Sequence, residues 1–193
     1  MAFFPTQFSD IYQRLKSIDP EKYSHTRNYV DGAVTYLSPY ISRGVISTKT
    51  VFNYLLEEDY PFETIEKYVQ ELAWRDYWQQ VWIHKKSAIN TDLKSQQQEV
   101  QHYEIPTAIL TKSTSIEAID RAIKALEDTG YMHNHMRMYA AALICNMGKS
   151  HWLTPSRWMY YHLLDGDWAS NALSWQWVAG SNASKKYYAN QAN

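Results

Sequence analysis

The sequence has 193 residues, 45% of them hydrophobic, and a formal net charge of −1, so neither a disordered chain nor a strongly basic nucleic-acid-binding protein is indicated. Its length suits one domain with a substantial core, and its single cysteine, Cys145, excludes an internal disulfide framework. No apolar run approaches the ~20 residues that span a bilayer, and the first residues lack a secretory-signal pattern, so we expect a cytoplasmic protein with no membrane association.

Helical patterns dominate the first half of the chain. Apolar side chains recurring with the helical period predict helices at residues 6–18, from near Ser47, and at residues 61–84. Between the first two, Ser38 followed by Pro39 is typical of an N-cap and the first turn of a further helix. Residues 86–105 are polar and aperiodic, which favours a surface loop.

The second half is also helical in its pattern. Thr114 and Glu117 have the spacing of a capping box, and Gly130 is expected to end the helix that they begin. Further helices are predicted at residues 131–147 and 154–164. No segment combines alternation of period two with enough β-branched residues for a strand. The sequence therefore predicts an all-α fold, with one domain covering residues 1–193.

Aromatic side chains are unusually frequent, with 8 Trp and 16 Tyr. Because Trp and Tyr carry a polar atom that needs a partner, they suit pocket walls and interfaces better than deep cores. In ELAWRDYW, residues 71–78, Glu71 and Arg75 are spaced for an i,i+4 ion pair beside Trp74. That pattern fits a surface ion pair next to a buried aromatic row as well as the wall of a binding pocket.

Two later motifs, TGYMHNHMRM and DGDWASNALSWQW, combine polar and aromatic residues in the same way. A metal site built from them would use His133, His135, Asp165 and Asp167. However, two histidines two positions apart on a helix point roughly 200° apart, so we predict no metal site. Surface polar residues beside a few core methionines are the simpler alternative.

The segment TYLSPYISRG, residues 35–44, places Thr35 and Ser38 near a helix start. Hydroxyls and free backbone N–H groups at such a start suit a phosphate, although Ser38 could equally be an N-cap alone. The chain has no Walker or GxGxxG loop, so a P-loop or Rossmann nucleotide site is not indicated.

Taken together and in this order, LSPYISRGVIS, ELAWRDYW, TGYMHNHMRM and LLDGDWASNALSWQW resemble the FAD-binding helical domain of the photolyase/cryptochrome family. The resemblance runs from about Tyr23 to Tyr188. It implies FAD as the cofactor, with Asn171 facing the flavin N5 atom and Arg137 paired with Asp165 along the ring system. The implied flavin contacts are Tyr23, Thr35, Ser38, Arg137, Asp165, Asp167 and Asn171.

The same resemblance implies an enzyme that uses light to repair pyrimidine dimers in UV-damaged DNA. The residues that match the family's dimer-contacting positions are Glu71, Trp74, Asn134, Met138 and Trp177. Trp175 and Trp152 match two members of the family's electron-transfer chain. The third, surface-exposed tryptophan of that chain has no counterpart between Trp82 and Trp152. Tyr103 is therefore a candidate for the exposed end of the electron-transfer chain.

Three departures keep a second function open. The family's N-terminal antenna domain has no match in this sequence, His135 stands where many repair enzymes carry a DNA-contacting arginine, and the net charge is weak. These features favour a flavin photoreceptor or redox module without repair activity, acting with a separate antenna or signalling protein or as a homo-oligomer. A helical scaffold that no longer holds FAD is the third alternative.

Overall fold

Helices connected by turns and irregular segments make up the computed structural model, which describes residues 4–189. Within this range there is no β-strand, and the one isolated bridge joins His102 to Ser150. The predicted all-α fold is therefore confirmed. The chain divides into two compact units, Met1–Tyr77 and Trp78–Asn193. That residues 1–193 form one domain stays a prediction.

The first unit is built from short helices and most of one long helix. The helices are α1 (Phe8–Lys16), α2 (Pro20–Thr26), α3 (Ser38–Ser42), α4 (Thr48–Glu57) and α5 (Phe62–Lys85), of which the last eight residues belong to the second unit. Apolar side chains from these helices and their connections form one core, in which Leu15, Leu37, Val51, Leu55 and Ile65 are almost fully buried. The helices predicted at residues 6–18, near Ser47 and at 61–84 are thus confirmed.

Local hydrogen bonds decide where these helices begin. Ser47 caps α4, because its side chain accepts from the backbone N–H of Thr50 while the Thr50 hydroxyl lies 3.4 Å from the Ser47 nitrogen. The prediction that Ser38 is an N-cap is wrong. Ser38 is the first residue of α3, and Leu37 occupies the cap position without a side-chain cap bond.

The second unit is larger and its helices pack around one core. It contains a 3-10 segment (Lys86–Asn90), α6 (Thr107–Leu110), α7 (Glu117–Thr129), α8 (Asn134–Ala142), a π-helical turn (Leu143–Met147), α9 (Leu153–His162) and α10 (Trp168–Ala179). Helix α10 packs against both α8 and α9. Side chains from these helices and from α7 form the core, in which Ile123, Leu126, Trp152, Met159 and Trp175 are almost fully buried.

Two expectations for this unit are wrong. The capping box at Thr114 and Glu117 does not form, because Thr114 donates to Asp120 and Ile116 takes the N-cap position of α7. Residues 86–105 are not simply a surface loop: they include the 3-10 segment, and Ile89 and Gln97 are buried. The Ile89 carbonyl accepts from the Gln176 side chain, and the Gln97 side chain donates to the Ser150 carbonyl. These partners lie far along the chain, so no local sequence pattern reveals them.

Gly130 ends α7, as predicted, with a left-handed φ of 72°. A Cβ added at Gly130 would lie 2.5 Å from Cγ of Leu164, whereas one added at Gly44, with φ +71°, would meet nothing within 4 Å. We expect Gly44→Ala to cost about 1–2 kcal/mol through the left-handed backbone alone, and Gly130→Ala to cost clearly more. Urea denaturation of both variants tests this, and equal losses of stability would contradict the steric role of Leu164.

No helix among the described residues has the length and apolar character needed to cross a bilayer. Within residues 4–189 there is also no group of three or more His, Cys, Asp or Glu side chains arranged to hold a metal ion. His133, which we expected to lie on a helix, is the N-cap of α8.

Candidate functional site

In the first unit, a buried tyrosine joins two of the predicted flavin contacts. The ring of Tyr23, on α2, meets the ring of Tyr68, on α5, edge to face at 4.6 Å. The Tyr68 hydroxyl lies 3.0 Å from Oγ1 of Thr35. Burial raises the pKa of Tyr68 to about 12, although the bond to Thr35 acts in the opposite direction, so the phenol stays protonated. Ser38 lies nearby in sequence, half-buried at the start of α3.

Thr35 also lines a small cavity of the first unit, of about 230 Å³. The cavity is also lined by Arg14, Ser17, Asp19 and Tyr36. Arg14 donates to the Tyr36 carbonyl at 3.4 Å and lies over the Tyr36 ring. Arg14 supplies a positive charge and Ser17 a hydroxyl group near Thr35, alongside the carboxylate of Asp19, whose Oδ1 accepts from the Lys22 N–H.

Two of the predicted dimer-contacting residues, Glu71 and Trp74, lie on helix α5 in the first unit. Glu71 pairs with Arg27 of the α2 end, with Arg27 Nε 3.7 Å from Glu71 Oε1, and Arg75 donates to the Ser42 hydroxyl. Desolvation by the surrounding protein raises the pKa of Glu71, partly offset by Arg27, even though 46% of the side chain is exposed. Trp74 is 51% exposed and meets Tyr77 edge to face.

The second unit brings Arg137 and Asp165 together, as the sequence predicted. Nη2 of Arg137, on α8, lies 3.0 and 2.8 Å from the two oxygens of Asp165, which precedes α10. Arg137 Nε donates to the Met132 carbonyl at 2.7 Å, and the guanidinium lies over the Tyr131 ring. The Asp165 side chain is only 5% exposed. A buried carboxylate needs such a cation, and the pair fixes both side chains in one geometry.

Asp167 and Asn171 are held in place at the start of α10. Asp167 is the N-cap: its Oδ1 accepts from the backbone N–H of Ser170 at 2.7 Å, and its Oδ2 accepts from the Gln79 side chain. Asn171, one turn later, donates through Nδ2 to the Ser156 carbonyl of α9 at 2.9 Å. These bonds set the orientation of a carboxylate and an amide on consecutive turns.

The remaining predicted dimer contacts lie on α8 and α10. Asn134 is exposed at the first position of α8, Met138 is half-buried against the core, and Trp177 is 41% exposed. The ring of Tyr187 connects the two helices, at 5.5 Å from Trp177 and 6.4 Å from Tyr139, the residue after Met138.

His135 lies in the same turn of α8, with its ring 4.5 Å from that of Tyr139. Burial lowers the pKa of His135 below its ordinary value, so the imidazole is uncharged near neutral pH. At this position the chain therefore presents an aromatic surface in place of a cation.

The two tryptophans assigned to electron transfer are core residues. Trp175 is 3% and Trp152 is 0% exposed. The indole N–H of Trp152 donates to Asp92 Oδ1 at 2.8 Å, and its backbone N–H donates to Gln97 at 3.0 Å. Asp92 and Gln97 both come from the segment that the sequence had suggested to be a surface loop.

Sequence reasoning missed several residues that hold the site together. Tyr68 joins Tyr23 to Thr35, and Gln79 holds Asp167. Gln176, between the two tryptophans of the WQW motif, is fully buried and bonds to the backbone of residues 89 and 93. Only Gln176 carried a usable signal, because an amide flanked by tryptophans on an otherwise apolar helix must find hydrogen-bond partners.

Comparison with known proteins identifies this arrangement. Residues 68–193, well over half of the chain, match the family model described as the FAD binding domain of DNA photolyase. The chain belongs to this family. FAD is the cofactor of the family, and the predicted resemblance is confirmed.

Individual relatives agree with the family model. The deoxyribodipyrimidine photo-lyase of Streptomyces griseus is 31% identical over 150 residues, covering 77% of this chain and 32% of that protein. That of Alkalihalophilus pseudofirmus is 27% identical over 146 residues, covering 74% of this chain and 30% of its own length. The crystal structure of a Synechocystis cryptochrome has a TM-score of 0.84 at 20% identity, over 97% of this chain and 41% of that one. This chain thus spans about a third of the length of the curated relatives it matches.

The described residues fit an FAD group chemically. A flavin ring edge carries both hydrogen-bond donors and acceptors, and the second unit offers a fixed guanidinium, two carboxylates and an amide in Arg137, Asp165, Asp167 and Asn171. A diphosphate needs hydroxyl or cationic partners, and the first unit offers Thr35 beside Arg14.

Proposed function

We propose that this chain is the flavin-binding part of a light-driven lyase that repairs cyclobutane pyrimidine dimers in DNA. The observation that carries the proposal is the exposure of Trp74 and Trp177, at 51% and 41%. Two tryptophans at the surface, Trp74 on α5 and Trp177 on α10, are suited to stack on bases. They coincide with the positions that the resemblance assigns to contact with the dimer.

Within this proposal, Arg137, Asp165, Asp167 and Asn171 hold and orient the flavin ring system, while Tyr23, Thr35 and Ser38 hold its phosphate and sugar part. The bound flavin supplies light absorption and single-electron transfer, which no side chain of the protein provides. The protein's own contribution is a rigid set of polar groups: the Arg137–Asp165 pair cannot rotate without breaking a buried ion pair.

Dimer recognition falls to Glu71, Trp74, Asn134, Met138 and Trp177. A dimer is out of reach inside a stacked duplex, so it must be extruded before these residues can contact it. Trp74 and Trp177 supply stacking surfaces, and Asn134 supplies donors and an acceptor for base edges. The Glu71 carboxyl supplies oxygens that can accept hydrogen bonds from base N–H groups.

Binding of a dimer-containing oligonucleotide at a stated salt concentration tests the proposal. We expect Trp74→Ala and Trp177→Ala each to weaken binding about 5- to 150-fold, which corresponds to ~1–3 kcal/mol per stacked base. Because both side chains are exposed, stability should change little. Trp82→Ala, another exposed tryptophan on α5, is the matched control and should bind normally. Parental affinity and repair rate in both test variants would rule out the pocket assignment.

A flavin photoreceptor or redox module without repair activity is the second candidate. The observation that favours it is His135, which is uncharged near neutral pH where a cation would attract DNA phosphates. In that case Trp175 and Trp152 carry the electrons for flavin photoreduction. The same oligonucleotide measurement separates the two functions: a photoreceptor binds damaged and undamaged DNA equally, whereas a repair enzyme prefers the dimer.

A further inference from the structure

We propose that Arg14 is a positioning residue for the cofactor: it holds Tyr36 in a left-handed backbone conformation and thereby fixes the hydroxyl of the preceding Thr35. The inference rests on the proposed function in one respect, the assignment of Thr35 to the phosphate and sugar part of FAD. Arg14 lies on α1, ahead of Tyr23, where the resemblance to the family begins.

The backbone at Tyr36 is in an unfavourable conformation. Its φ is 54°, in the left-handed region, which a bulky side chain rarely adopts. For an L-residue other than glycine, this region is about 5- to 30-fold less populated than the right-handed one, from a cost of ~1–2 kcal/mol. Because Tyr36 directly follows Thr35, a loop that leaves this conformation also moves the Thr35 side chain. Contacts from elsewhere in the fold must therefore hold Tyr36 in place.

Arg14 contacts both the ring and the backbone of Tyr36. Its guanidinium carbon lies 5.8 Å from the centre of the Tyr36 ring and 5.7 Å from that of Phe4. Nη1 of Arg14 donates to the Tyr36 carbonyl at 3.4 Å. This hydrogen bond is long, so the ring contacts contribute the larger share of the attraction. A planar guanidinium can contact two rings and a carbonyl at once, whereas a lysine ammonium is a point charge.

The rings around Arg14 are themselves anchored. Phe4 meets Tyr36 edge to face at 6.4 Å and Tyr40 at 6.5 Å. Tyr40 is buried in the core of the first unit, and its hydroxyl donates to the Pro5 carbonyl at 2.8 Å. The contacts of Arg14 therefore connect the Tyr36 backbone to this core, and they act against the unfavourable φ.

Thr35 is held from two sides. On one side its Oγ1 lies 3.0 Å from the hydroxyl of Tyr68, which is buried; on the other, the conformation of Tyr36 sets the path of the chain. The cavity of about 230 Å³ is lined by Thr35, Tyr36 and Arg14 together. Without Arg14, a smaller fraction of chains keeps this arrangement, and the apparent affinity for FAD falls by that fraction.

Titration of the flavin-free chain with FAD and with riboflavin, followed by flavin fluorescence, tests the inference. We expect Arg14→Ala to raise the dissociation constant of FAD about 5- to 30-fold. Riboflavin lacks the diphosphate and the adenosine, so its dissociation constant should not change. Lys16→Ala is the matched control, because Lys16 lies on the same helix with its ammonium 5.2 Å from the Tyr12 ring, outside the residues that line the cavity; it should bind both ligands normally.

Two further variants separate positioning from charge and from a general loss of structure. Arg14→Ala combined with Tyr36→Gly should bind FAD more tightly than Arg14→Ala alone, because glycine adopts positive φ readily. Arg14→Lys keeps the charge and should recover only part of the affinity. Full recovery in Arg14→Lys, no gain from Tyr36→Gly, or an equal loss of FAD and riboflavin affinity in Arg14→Ala overturns the inference.

A Thr35→Val variant tests the assignment on which the inference rests. It replaces a hydroxyl by a methyl group of similar size, so it should weaken FAD binding and leave riboflavin binding unchanged. Parental FAD affinity in Thr35→Val would overturn both that assignment and the inference. Dimer repair by the parent chain tests the rest of the proposed function separately: a chain that binds FAD but repairs no dimer contradicts the repair activity and leaves the effect of Arg14 on FAD affinity unaffected.

Discussion

Replacing Asp165 with alanine should lower the free energy of unfolding by about 3–5 kcal/mol, because it leaves the Arg137 guanidinium partly buried without its counter-charge. The same substitution should abolish retention of FAD after gel filtration, since Arg137 loses the partner that fixes its position. Urea denaturation without added flavin measures the first effect, so that bound ligand does not contribute to stability. Flavin absorbance of the filtered protein measures the second.

Two controls separate the structural role of this pair from its role toward the cofactor. Asp128→Asn removes one partner of the exposed Lys124–Asp128 pair and should change neither measurement, because exposed ion pairs contribute little. The double variant Arg137→Met, Asp165→Leu replaces the buried pair by apolar side chains and should recover most of the stability. If the double variant also recovered FAD, the assignment of the pair to the flavin would be wrong.

Periodic patterns predicted the helices well because each depends on residues close in sequence. The long helix α5 and the end of α7 at Gly130 were both foreseen, the first from apolar spacing and the second from glycine's tolerance of positive φ. The pairing of Arg137 with Asp165 came from resemblance to a family, and its geometry in the structure agrees with the general need to neutralise a buried charge.

Features that depend on distant partners could not be predicted in this way. Thr114 had the spacing of a cap, but Asp120 accepts its bonds and Ile116 takes the cap position. Gln97 is a polar residue in a polar segment, yet its amide donates to the Ser150 carbonyl and accepts from the Trp152 backbone. A single sequence gives the hydrogen-bonding capacity of such a side chain and not the identity of its partner.

The tryptophans predicted for the site differ in burial, and residue type alone could not predict which of them are buried. Trp152 and Trp175 are in the core, while Trp74 and Trp177 are largely exposed. Trp175 and Trp177 come from the same motif, two positions apart on α10, which places them on different sides of the helix. One side of α10 thus builds the core, and the other presents a ring to solvent.

Gln176→Leu should destabilise the fold because it removes the hydrogen-bond partner of two backbone groups. Gln176 is fully buried; its Nε2 donates to the Ile89 carbonyl at 2.9 Å and its Oε1 accepts from the Leu93 N–H at 3.1 Å. Leucine has a similar volume, so the expected loss is about 1–3 kcal/mol for each buried backbone group left without a partner. Urea denaturation measures the total.

Hydrogen exchange at the Leu93 amide shows whether that loss has the stated cause. In the parent chain this N–H is protected by the Gln176 side chain, so Gln176→Leu should speed its exchange more than that of amides within α7. Ser174→Ala, exposed on the same helix, should leave both the stability and the Leu93 exchange within the small range typical of surface substitutions. Unchanged protection of Leu93 in Gln176→Leu would mean that another group satisfies this amide. The backbone at Leu93 would then be held by contacts other than its bond to Gln176, and the loss of stability would be assigned to the Ile89 carbonyl alone.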